Sequence, residues 1–115
     1  MSQNKPDLRI PRQVQDNAAL GLRLRDEHGY GGTEVGEHMA EKLAAGGDLS
    51  PEEVRHVAQY FPRHAHDNLD QTGEDGGKPS RGYIAWLLWG DDAGRTWSEQ
   101  LVQQMDAGNK ATATT

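Results

Sequence analysis

The chain has no cysteine, which removes disulfides, thiolate nucleophiles and cysteine-based zinc sites together. Aromatic residues make up only 6% of its 115 residues and hydrophobic residues only 34%. With a mean hydropathy of −0.89, so little apolar material implies one small, local core, and the length is that of a single domain. No apolar run follows a basic N-terminal segment, so no signal peptide is expected. The longest apolar stretch, Ile84 to Trp89, falls far short of the ~20 residues of a membrane span. The expectation is a soluble, intracellular protein, or part of an assembly made inside a cell. Nowhere does the chain show the apolar–polar alternation of a half-buried strand, which leaves an all-α architecture.

Positive charge is also short, and it is unevenly spread. The formal net charge is −6. Residues 1–25 nevertheless hold Lys5, Arg9, Arg12, Arg23 and Arg25 against Asp7 and Asp16, so the remainder is strongly acidic. Such a body opposes general binding to a phosphate backbone, whereas a basic first segment suits an acidic partner surface.

Residues 1–10 have no period and are expected to be a flexible arm. Pro11 stands where a first helical residue would, and Val14, Ala18 and Leu22 recur every fourth residue, which predicts a helix over 11–27. The glycine-rich "HGYGG" ends it. Thr33 then caps a short helix over 34–45 whose stripe is Val35, Met39 and Leu43, and "GG" at 46–47 closes it. "LSPEEV" at 49–54 is a capping box: Ser50 is the N-cap, Pro51 the first helical residue and Glu53 the third. The helix it opens buries Val54, Val57, Ala58 and Phe61, with Tyr60 at the margin, and should kink or stop near Pro62. A loop over 70–80 leads to a helix from about Ser80 to Gly90. Asp91 or Asp92 then caps a last helix on which Ala93, Trp97, Leu101 and Met105 repeat. The domain is therefore expected over 11–107, as a bundle of about five short helices, with 108–115 as a disordered tail.

Candidate chemistry is sparse. "RHAHD" places His64, His66 and Asp67 close together, with His56 eight residues before His64. Side chains two apart on a helix diverge by about 200°, so they share an ion only if Pro62 breaks the helix. No metal and no cofactor are expected. The acid pairs Glu52–Glu53 and Asp91–Asp92 both stand at helix starts, where dipole and capping account for them. The glycines of "GYGGT" lack the lysine and the preceding strand of a phosphate cradle. No catalytic constellation remains, and a non-enzymatic protein is expected. Arg9, Arg12, Arg23 and Arg25 are the candidate partner-binding residues.

The blocks "GLRLR", "GYGGTEVG", "LSPEEV", "YFPRHAHD" and "GYIAWLLWGDDAG" with Trp97 occur in that order. Their arrangement resembles a small helical domain family of tailed-bacteriophage proteins, with the pattern GL-LR-x-x-x-GRGGT-x-VG, LSP, YF-x-RH and IAW-LLWGG-x-AG-x-x-W. The likeness runs from about Pro11 to Val102. The chain departs from it at Tyr30, where arginine is usual, at Asp91, where a second glycine is usual, and by the added His66. The arginine's loss counts against DNA contact at that point, and an acid at 91 implies a position that accepts a side chain. The resemblance implies a structural or interaction role: a virion head-associated protein of decoration or cement type, present in many copies on the capsid shell or bound to another head component. The alternative is a DNA-associated or regulatory phage module using the basic N-terminal segment.

All three tryptophans fall within 86–97. Ile84, Leu87 and Leu88 share one helical face, with Trp86 and Trp89 beside it, so this helix is expected at the centre of the bundle rather than as an exposed aromatic patch. Trp86, Trp89, Trp97, Leu87, Leu88 and Phe61 form the expected core. Trp97 should fold back beside Trp89 or Leu88, and Trp89→Ala should cost roughly 3–5 kcal/mol.

Overall fold

The structure is a computed structural model and describes residues 7–65 and 79–113, with side chains as far as 107. Five helices follow one another among the described residues: α1 (Arg12–His28), α2 (Glu34–Ala45), α3 (Pro51–Arg63), α4 (Arg81–Leu88) and α5 (Asp91–Ala113). Among the described residues there is no strand, only an isolated antiparallel bridge between Arg9 and Asp48. The fold is the all-α bundle expected, and none of its helices is long and apolar enough to cross a membrane.

Local chemistry sets most of the boundaries. The Thr33 side chain accepts from the Gly36 N–H and opens α2. At α3 both halves of the capping box form: the Ser50 hydroxyl accepts from the Glu53 N–H at 3.1 Å, and the Glu53 carboxylate accepts from the Ser50 N–H at 2.9 Å. Ser80 caps α4 in the same manner, accepting from the Tyr83 N–H. Pro62 lies in the final turn of α3, which ends at Arg63, close to the expected stop near 61, and a turn follows in which the His64 N–H donates to the Phe61 carbonyl.

Four expectations need correction. Pro11 is the N-cap rather than the first helical residue of α1, because its ψ of 152° is extended. Val35 is exposed, at 55% of its surface, and α2 instead turns Gly36, Met39, Ala40 and Leu43 inward. α5 starts at Asp91, so Gly90, not Asp91 or Asp92, stands in the capping position, and its carbonyl accepts the Gly94 N–H. Residues 7–10, assigned to the arm, are docked. The Ile10 N–H donates to the Gly47 carbonyl at 2.8 Å and the Leu49 N–H to Leu8, so Ile10 enters the core. At the other end α5 continues to Ala113, past Gly108 where the sequence reading began the tail, and its described core-packing side chains end at Met105.

The core lies around α4, where Ile84, Ala85, Trp86, Leu87 and Leu88 are all buried, with Trp89 directly after them. α1 and α2 pack against it and against each other, α3 pairs with α5, and α5 also meets α1 and α4. Gly21 sets the α1–α4 distance: a Cβ there would lie 2.8 Å from the Leu88 backbone nitrogen, closer than atoms pack. The Asn17 amide donates to the Gly90 carbonyl at 2.9 Å, tying α1 to the α4–α5 turn. Phe61, Leu87, Leu88, Trp86 and Trp89 are buried as expected, while Trp97 is only partly buried against the cluster.

Candidate functional site

The turn before α2 and the C-terminal half of α3 approach the start and end of α4. Gly31 and Gly32 have φ of 105° and 74°, a left-handed region that glycine enters freely. Side chains there would collide as well: a Cβ at Gly31 would sit 2.6 Å from Ile84, and one at Gly32 2.6 Å from Leu88. The turn thus lies flat on α4. From the other side, His56, Tyr60 and His64 rise at four-residue spacing along α3 and just past its end. Tyr60 stacks on Trp89 at 4.9 Å and on His64 at 4.3 Å, while His56 meets the edge of Trp89 at 5.0 Å. Phe61, one residue on, meets Trp86 edge-on at 4.8 Å.

Between these walls runs an open groove of about 370 Å3. Trp89, Ala85, Gly82 and Gly32 give it an apolar floor, and His56, Arg63, His64 and Arg81 stand around it. Among the described residues its lining includes no acidic side chain, in a chain with 18 Asp and Glu residues. Arg81 is held in place, its guanidinium 5.3 Å from the Tyr30 ring centroid, and the Tyr30 hydroxyl donates to the Pro79 carbonyl at 2.7 Å. Neither Arg63 nor Arg81 has a carboxylate partner among the described residues. A second cleft, of about 450 Å3, shares Gly32 and Arg81 but includes Asp26 and Glu37. There Arg25 is spent on Glu37 at 2.9 Å and on the Gly31 carbonyl.

The four arginines singled out from the sequence do not gather. Arg9 is exposed beside the bridge to Asp48, and Arg12 pairs with Asp16 at 3.2 Å on the open face of α1. Arg23 is exposed on that same face, 11 residues and so about 16 Å further along. Arg25 points about 200° away from it, into the ion pair with Glu37. No group of three or more metal-ligating side chains occurs among the described residues. His66 and Asp67 of "RHAHD" lie outside them, as does most of the expected 70–80 loop.

Among the described residues three titrating groups are shifted, all outside the lining of the groove. Burial raises the Asp91 carboxyl above its ordinary value, with the Asp92 charge adding to it against a backbone hydrogen bond that lowers it. Tyr83 is raised by burial and by Asp91. Glu53 is lowered, first by its hydrogen bond to Lys42 and then by the Ser50 N–H. The Asp92 carboxylate is engaged by the Trp86 indole N–H at 2.9 Å. Glu53, Asp91 and Asp92 all stand in the first turn of a helix.

The groove escaped the sequence reading, although His56, Tyr60 and His64 at four-residue spacing were a legible sign of one shared face. Arg81, brought from the next helix, left no such sign. No family model, curated protein or solved structure matches the chain.

Proposed function

We propose that the protein is a non-enzymatic structural or interaction protein of a tailed bacteriophage, a small helical module that attaches to the virion head as decoration or cement proteins do. The observation that carries this reading is the convergence of separate sequence blocks on one surface. The "GYGGT" turn lies on Ile84 and Leu88 of the "IAWLLW" block, and the "YFPRH" block stacks on its last tryptophan. Departures from the family pattern also have local reasons. Asp91, where the pattern has glycine, adopts φ 59°, a conformation that glycine enters freely and aspartate tolerates. Tyr30, where the pattern has arginine, braces Arg81 at the groove.

The second reading, a DNA-associated module working through the basic first segment, draws less support, because Arg12 and Arg25 are both engaged by acids of this chain. Quantitative mass spectrometry of purified particles separates the two. High copy number is the expected result. Absence from particles, together with salt-sensitive retention on DNA, would overturn the head-associated reading in favour of the second.

A further inference from the structure

We propose that the groove between α3 and the start of α4 is a docking site for an acidic peptide segment of a partner protein, one carrying carboxylates beside an apolar side chain. The inference deepens the interaction reading above and rests on it. Charge selects the occupant. In a chain of net charge −6, the walls of this groove bring together Arg63, Arg81, His56 and His64, with no acidic residue among the described residues that line it. Arg63 and Arg81 are exposed and have no carboxylate partner among the described residues, so their forked donors are open to bidentate contacts. Between them the floor is apolar, and Trp89 and Tyr60 are stacked and almost fully buried. They offer an edge against which an aliphatic side chain packs, not a free face on which a nucleobase stacks. A volume of about 370 Å3 holds an extended peptide's few side chains. The acidic body also repels a long polyanion over a much larger area than a short peptide covers.

The test is fluorescence anisotropy of the full chain with a short labelled peptide of Glu, Asp and Leu, and in parallel with a labelled single-stranded oligodeoxynucleotide. The expected result is saturable peptide binding that weakens with salt. The double variant Arg63→Glu/Arg81→Glu should lower it at least roughly tenfold, as the loss of charge-assisted contacts predicts. Arg12→Glu/Arg23→Glu, which reverses as many charges on α1, should leave it within about twofold. Circular dichroism checks that both variants are folded, and Arg63→Gln/Arg81→Gln replaces the first if it is not. Three outcomes would overturn the proposal: no peptide binding by the wild type, binding indifferent to the groove variants, or groove-dependent binding of the oligonucleotide in preference to the peptide. The particle measurement reports on head association separately, since a groove that binds peptide on a protein absent from virions refutes only the latter.

Discussion

Gly21 and Asp91 are positions where a single side chain is decided by its backbone surroundings. In a helix interior, replacing glycine by alanine gains about 1 kcal/mol of propensity. At Gly21 the added Cβ would meet backbone and side chain of Leu87 and Leu88 at 2.8–3.1 Å, and backbone cannot swing aside. Overpacking of this kind costs about 1–3 kcal/mol, so Gly21→Ala is expected to destabilise the protein in urea unfolding despite its better helix propensity. Asp91 has a raised carboxyl pKa in the folded state, with burial as the main cause. A carboxyl raised on folding favours the native state while it is protonated and loses that contribution as pH rises through the folded value. Asp91→Asn should therefore raise the melting temperature at neutral pH, and the difference should shrink as the pH is lowered through the ordinary carboxylate range. A gain independent of pH would mean that the charge is not what burial opposes.

Among the elements, α3 is the one written most plainly in the sequence, because everything that starts it lies within four residues: cap, proline and reciprocal glutamate. Ser50→Ala should cost about 1 kcal/mol in thermal or denaturant unfolding. Glu53 titrates in the opposite sense to Asp91. Its lowered folded pKa supplies stability above the unfolded value that fades as pH falls through the folded one, and Glu53→Gln should remove that part of the acid sensitivity. The boundaries of α2 were equally legible, as were Met39 and Leu43 on its buried face, but the first turn of that face was not. Hydrophobic spacing chose Val35, whereas the interface wanted Gly36, a residue that contributes nothing to an apolar pattern and is buried because helices pass close there. Gly21 was hidden for the same reason. Ile10 was hidden by tertiary context: a lone apolar residue before a proline has no period, and only the Gly47 carbonyl, far along the chain, gives it a place. The groove belongs to this class too, with one wall readable along α3 and the other supplied by α4.

At the scale of the whole molecule, α1 and α2 pack with α4 as one group, and α3 pairs with α5 as another. Tyr60 and Phe61 of α3 reach Trp86 and Trp89 across this division, with ring centroids between 4.8 and 6.0 Å apart. The aromatic cluster therefore joins the two groups as well as filling space. Phe61→Ala should cost about 3–5 kcal/mol. Unfolding followed by far-ultraviolet circular dichroism and by near-ultraviolet aromatic signals should coincide in the wild type, as a single cooperative unit requires. Separated transitions in the wild type would mean that the two groups unfold independently. The tryptophans have one more consequence. Trp86 is buried with its indole N–H on Asp92, and Trp97 packs against the core from α5, while Trp89 is held between Tyr60 and the edge of His56 and forms the floor of the groove. A molecule seated in the groove changes the surroundings of Trp89 before those of the other two, which gives the protein an intrinsic optical signal for occupancy that needs no attached dye.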